Sequence, residues 1–319
     1  MKWTLEPCDK AFHPLSPESD VLDPPTPRRP WSPGASAEVS VCSLHYRPPL
    51  AWNTLLEFLR THALHGVEIV EGQSYARTLQ LAQRRGWVRV RPGVIGELKV
   101  ECSHSLSNVL SHVLMKLRHL FDLDACPITI DDRLGDDPRF QESITHTPGV
   151  RVPRCVDGFE LAWRTVLGQQ VSVAAATKIA GRTVEALGER VETPIPGLHR
   201  LSPTPRQFLS HQSDTLGPLG WLRSRVRAVH ALAQAVIDGS LSLSPEADPH
   251  EVKARLCALP GIGPWTAGYI AMRALSWSDG WPTGDAILKK RLQGQLHPEP
   301  HWRPWSSYAA MRLWYQPQN

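Results

Sequence analysis

The sequence predicts an α+β domain over residues 38–125 followed by an all-α domain over 126–319. Two observations carry this. Residues 38–125 alternate between period-2 and period-3.6 apolar patterns in the order strand, helix, four strands, helix. From 126 onward every periodic stretch is helical, punctuated by Pro and Gly.

Taken in order, residues 1–37 are rich in Pro, Ser and Asp and show no apolar periodicity, so a disordered Pro-rich extension is expected there. Glu38–Tyr46 alternates, with Val39, Val41 and Leu44 along the run, as a strand does. Trp52–His62 places Leu55, Leu56, Phe58 and Leu59 at helical spacing. Strands follow at Val67–Val70, Tyr75–Leu81, Gly86–Arg91 and Glu97–Cys102, then a helix at Leu106–Phe121. Runs of this kind make an antiparallel sheet with helices on one face. Helices are then expected at Phe159–Leu167, Ala174–Leu187, Arg225–Ile237, Glu251–Leu259, Trp265–Leu275, Asp285–Leu296 and Ser307–Trp314.

Composition excludes several classes. No run approaches about 20 apolar residues, which disfavours a membrane span. The N-terminus has no apolar signal region, so a cytoplasmic protein is expected. The six cysteines (8, 42, 102, 126, 155 and 257) form no C-x-x-C pair and no zinc or iron–sulfur spacing, and no side-chain metal site is expected. Net charge is only +4, but residues 253–319 hold eight Lys/Arg, three Asp/Glu and six of the twelve Trp. A basic, aromatic-rich segment suits nucleic acid; a helical core with solvated basic faces has the same composition.

The run Leu256–Ala267 carries the chemistry. A helix stops at Leu259, and Pro260-Gly261-Ile262-Gly263 makes a tight hairpin. A second helix starts at Pro264, a favoured first residue. The glycines permit backbone conformations and close approach that side chains deny. The N–H groups at the second helix's start then face outward, as a site for one DNA phosphate. Gly261, Gly263 and Thr266 are the DNA-binding candidates of this helix–hairpin–helix. Further on, Trp281-Pro282-Thr283-Gly284-Asp285 is a turn that opens a helix with an aspartate. By itself Asp285 reads as an N-cap. It stands 22 residues after Gly263, and that placement gives it a second reading.

With these motifs, and with Tyr46-Arg47-Pro48-Pro49, Tyr75-Ala76-Arg77, Leu120-Phe121-Asp122-Leu123, Cys155–Glu160, Val166–Ser172 and Trp302–Tyr308, the chain resembles the helix–hairpin–helix DNA glycosylase superfamily. It most resembles the alkylation-repair branch, the 3-methyladenine DNA glycosylase II family, over residues 40–315. The resemblance implies a TATA-binding-protein-like first domain and two helical subdomains flanking an active-site cleft. It implies a catalytic Asp285 and base-stacking Trp265, Tyr269 and Trp314. It places at Gln170 the wedge that fills the gap left by a flipped nucleotide, where the family carries leucine. It also implies a monovalent cation held by hairpin backbone carbonyls, with no other cofactor. Superfamily members that cut the strand carry a lysine at the Trp265 position, for a Schiff base. The expected activity is therefore monofunctional: flipping and hydrolytic removal of alkylated purines from double-stranded DNA, by a monomer. A glycosylase for deaminated or oxidised bases and a non-catalytic DNA-binding clamp remain the alternatives.

Overall fold

The computed structural model describes residues 39–316, so the extension expected over 1–37 lies outside the described residues. Five strands, β1 (Val39–His45), β2 (Glu68–Glu71), β3 (Ser74–Leu81), β4 (Arg84–Pro92) and β5 (Glu97–Ser103), form one antiparallel sheet in the order β1-β5-β4-β3-β2. Register follows the alternation: Val41 pairs with Glu101, Val88 with Cys102 and Thr78 with Trp87. Helices α1 (Trp52–Thr61) and α2 (Leu110–Leu120) lie on one face, where Leu55, Leu56, Val113, Leu117, Tyr75, Val88 and Val100 form a core. On the opposite face Ala76 and Trp87 pack against Ile195 and Leu198 from a distant loop. The helix expected at Leu106–Phe121 begins as a 3-10 turn, His104–Val109, before α2.

The helical part runs α3 (Pro127–Gly135), α4 (Pro138–His146), α5 (Gly158–Leu167), α6 (Val173–Leu187), α7 (Pro205–Leu209), α8 (Ser213–Leu216), α9 (Arg223–Ile237), α10 (Pro249–Ala258), α11 (Pro264–Ala274), α12 (Ala286–Arg291) and α13 (Ser306–Tyr315). The short helices α3, α4, α7 and α8 have too few turns to show apolar periodicity. α4 and α7 are set instead by local chemistry: Asp137 caps α4, and Thr204 with Gln207 forms a capping box on α7. Helix α12 ends at Arg291 rather than Leu296, because Gln293 (φ 52°) and Gly294 (φ 101°) turn the backbone left-handed.

Two helical cores result. One, around Trp163, Phe208 and Trp221, joins α5, α6, α9, α10 and α11. The other, around Phe140, Trp281, Trp302 and Met311, joins α3 and α4 to α12 and α13 across more than 150 residues of chain. Buried Asp122 stitches the parts together. It accepts from Arg154 Nε (3.0 Å) and Tyr308 Oη (2.7 Å), while Arg154 also donates to Met272 O (3.1 Å). Among the described residues no helix is long and apolar enough to cross a membrane.

Candidate functional site

The hairpin between α10 and α11 comes first. Gly261 has φ 77°, a region that side chains disfavour, and a Cβ there would lie 3.2 Å from Ala228 Cβ. Gly263 differs. Its backbone is extended (φ −90°, ψ 176°) and a Cβ would meet nothing within 4 Å. Glycine here keeps the outer side open rather than permitting a strained turn. Buried Ile262 anchors the loop from beneath. Pro264 occupies the first position of α11, and the first intrahelical bond runs from Ala267 N to Gly263 O (3.0 Å). Helix geometry therefore leaves the Trp265 and Thr266 N–H groups without intrahelical acceptors.

The Thr266 side chain is turned inward. The residue is 3% exposed, and its hydroxyl oxygen accepts from Gln169 Nε2 at 2.9 Å, so only its backbone N–H can serve a ligand at the hairpin. Gln169, which sequence reasoning missed, also donates to Gly261 O (2.9 Å) and clamps the α5–α6 turn onto the hairpin. Arg225 of α9 donates to the Gln169 carbonyl and completes the clamp. The neighbouring Gln170 is exposed, at φ 54°, on the tip of that turn. Adjacent residues in a turn diverge, so the Gln-Gln pair itself signalled that one side chain faces in and one out.

Asp285, Trp265, Tyr269 and Trp314 meet in one place. Asp285 caps α12, with Oδ1 accepting from Ile287 N and Leu288 N, each at 3.0 Å. Trp314 Nε1 donates to the same oxygen (3.1 Å), and Trp265 Nε1 donates to Oδ2 (2.9 Å). A carboxylate has about four lone-pair sites. Oδ1 is fully engaged, whereas Oδ2 keeps capacity for one more partner. Both tryptophans thus position the carboxylate as well as presenting aromatic faces, a link that the sequence did not reveal.

Trp265 and Tyr269 stack at 5.4 Å with a 17° interplanar angle, and Tyr269 and Trp314 lie 6.0 Å apart at 52°. A planar base inserted between two rings needs about 7 Å, twice the stacking spacing of ~3.4 Å. The rings as placed leave no gap of that width between them. All four residues line a cavity of about 390 Å³ together with Phe58, His62, Arg273 and Tyr315. Arg273 lies over Tyr269 (5.3 Å) and Phe58 (4.8 Å) and donates to Tyr269 Oη (2.8 Å). It also donates to Pro153 O and Arg154 O (2.5 and 3.2 Å).

The cavity's far wall joins the two domains. Arg77 donates to Glu160 (2.7 Å) and Glu68 (3.3 Å), and Arg164 pairs with both carboxylates (3.1 and 3.0 Å). Burial alone would push the Glu68 carboxyl up. The Arg164 and Arg77 guanidiniums and the Tyr75 hydroxyl outweigh that and hold it below the usual carboxylate range. His62 stacks on Phe58 (4.2 Å). Burial first and the Arg273 charge second lower its pKa to about 4, so it lines the cavity as a neutral ring. Among the described residues, no group of three or more His, Cys, Asp or Glu side chains is arranged to hold a metal ion.

The AlkA N-terminal domain family matches residues 41–157, and the HhH-GPD superfamily base excision DNA repair protein family matches residues 163–296. DNA-3-methyladenine glycosylase 2 of Escherichia coli (strain K12) is 34% identical over 279 residues, covering 86% of this chain and 96% of that protein. A probable bifunctional transcriptional activator/DNA repair enzyme AlkA of Mycobacterium tuberculosis is 37% identical over 292 residues, 88% of this chain, which spans 58% of that longer protein. Among solved structures, a 3-methyladenine DNA-glycosylase from Archaeoglobus fulgidus superposes with TM-score 0.73 at 20% identity, covering 85% of this chain and 97% of that one. The Clostridium acetobutylicum 8-oxoguanine glycosylase/lyase bound to double-stranded DNA gives 0.62 at 17% identity, covering 81% and 90%. At these identities the structural likeness is one of fold.

Proposed function

The chain belongs to the HhH-GPD superfamily of base excision DNA repair proteins, in the family of DNA-3-methyladenine glycosylase 2, and we propose that it excises alkylated bases from duplex DNA by hydrolysing the N-glycosidic bond. The observation that carries this reading is the Asp285 carboxylate, held by four N–H donors on the wall of an aromatic cavity with Oδ2 able to take another partner.

In this reading the free N–H groups at the start of α11 bind one backbone phosphate, and the bare outer side of Gly263 lets it approach. Gln170, carried on the turn that Gln169 fastens to the hairpin, fills the space left in the duplex. The flipped base enters the cavity, at a cost of a few kcal/mol that is smaller for a damaged pair. An N3- or N7-alkylated purine is cationic, and stacking on Trp265, Tyr269 and Trp314 attracts it by roughly 0.5–2 kcal/mol. Such a base leaves readily. Positive charge then develops on the sugar, and Asp285 stabilises it and orients the attacking water through Oδ2.

Among the described residues no lysine lines the cavity, and Trp265 occupies the position at which strand-cutting members carry one, which supports base removal without strand cleavage. The test is incubation with duplexes bearing one 3-methyladenine-type, hypoxanthine or 8-oxoguanine lesion, followed by gel analysis with and without hot alkali. Breaks only after alkali, on the alkylated duplex, are expected. Breaks without alkali would overturn the monofunctional assignment. Tight binding with no cleavage under either condition would make the protein a clamp.

A further inference from the structure

Four of the eight cations in the basic C-terminal segment are buried or paired with a carboxylate. There, Arg273 and Arg312 are buried, Arg255 pairs with Glu251 and Arg303 with Asp279. Two other stretches stand out instead. Residues 168–184 and 215–237 carry five Lys/Arg (178, 182, 223, 225 and 227) and no Asp or Glu.

The fold brings these stretches together. Trp221 Nε1 donates to Thr183 Oγ1 (2.8 Å), and a Cβ at Gly220 would lie 3.1 Å from an Arg182 terminal nitrogen, so the start of α9 lies against α6. A Cβ at Gly261 would lie 3.2 Å from Ala228 Cβ and 3.8 Å from Ser224 O, so α9 also lies against the hairpin. Arg225 is turned inward onto Gln169 O. Lys178, Arg182, Arg223 and Arg227 are exposed, and among the described residues none of them pairs with a carboxylate. Glu185, the next acidic residue on α6, is engaged by His199 and Arg200. Residues 178 and 182, like 223 and 227, are one turn apart, so each pair shares a helix face.

We infer that Lys178, Arg182, Arg223 and Arg227 form a second phosphate-binding face, continuous with the hairpin, that grips duplex DNA away from the lesion. The inference rests on the glycosylase reading for its partner. An unpaired cluster of one sign costs folding free energy through self-repulsion unless a polyanion neutralises it. The reach follows from helix geometry. Arg182 lies ten residues beyond the Ser172 cap of α6, about 15 Å. At ~3.4 Å per base pair, the face extends about four base pairs from the Gln170 turn.

The experiment compares the wild type with a K178S/R182S/R223S/R227S variant. Binding to a 24-base-pair duplex carrying a stable abasic analogue is measured across a salt series, alongside single-turnover excision at saturating enzyme. Each phosphate contact contributes about 0.9 to the slope of log K against log salt. The variant's slope is expected to fall by about 2–4, and its affinity at low salt by about 10- to 100-fold. Its excision rate stays within twofold of wild type, since none of the four lines the cavity. Trimming one flank of the duplex below about four base pairs should weaken the wild type and leave the variant unaffected. An unchanged slope in a folded variant overturns the second face. Wild type that binds steeply with salt but excises nothing overturns the glycosylase reading while leaving the slope comparison intact.

Discussion

Replacing Asp285 by asparagine separates its cap from its charge. Asparagine caps helices about as well as aspartate, so Ile287 N and Leu288 N keep an oxygen acceptor. Where Oδ2 stood, an amide nitrogen meets the Trp265 Nε1–H, donor against donor. Losing that half-buried hydrogen bond costs about 1 kcal/mol, a fall in Tm of roughly 2–4 °C for a chain of this size. The catalytic loss is larger. A unit negative charge about 4 Å from a developing oxocarbenium, at an effective dielectric near 20, supplies about 4 kcal/mol, or roughly a thousandfold in rate. Single-turnover excision of an alkylated base, read by alkali cleavage, should therefore drop about 10³-fold, while affinity for an abasic-analogue duplex changes little. Asp285→Ala is the contrasting variant. It removes the acceptor of all four N–H groups and should lose about 2–4 kcal/mol of stability as well. Asp285→Asn turning over within tenfold of wild type would refute a charge-based role for this carboxylate.

Other expectations follow from particular contacts. Gly261→Ala should destabilise the protein by about 1–2 kcal/mol and weaken DNA binding, because φ 77° and the 3.2 Å approach to Ala228 both resist a Cβ. Gly263→Ala should leave thermal stability unchanged or slightly raised, yet lower DNA affinity, because its Cβ projects into open space at the hairpin; chemical denaturation and fluorescence anisotropy separate the two effects. Arg77→Met leaves Glu68 and Glu160 sharing Arg164 alone, so urea unfolding should show a loss of about 3–5 kcal/mol. Burial lowers both His62 and His119 to about 4, and His119 bonds Ala274 O (3.1 Å) between α2 and α11. The unfolded chain takes up these protons near pH 6.5 and the folded one does not. Unfolding free energy should therefore be flat from pH 7 to 8 and fall between about 6.5 and 4, by at most about 3 kcal/mol per histidine, with Tm following it. His119→Gln should flatten part of that fall.

Much of this fold was legible because its signals are short-range. Alternation marked the five strands, spacing of Leu and Val marked α1, α2 and the long helices, and Pro-Gly-Ile-Gly marked the hairpin. The family resemblance, rather than any local pattern, singled out Asp285, Trp265, Tyr269 and Trp314, which all line one cavity. Composition was a poorer guide to surface. Half the tryptophans lie in the last segment, but Trp281 and Trp302 are core, and Arg312 is buried against Asp131 at 2.6 Å. The compact cationic surface lies on α6 and α9, in a part of the chain whose overall charge is close to neutral.

The sequence by itself determined the elements, the hairpin and the residue types available for chemistry, because backbone conformation answers to neighbours a few residues away. Only the tertiary structure decided direction. It turned Gln169 inward to Gly261, 92 residues on, and left Gln170 outside. It made Gly261 a conformational necessity and Gly263 an open approach. It aimed two indole N–H groups, 20 and 29 residues from Asp285 in sequence, at one carboxylate. Which way a side chain points depends on what distant parts of the chain pack beside it, and no local pattern records that.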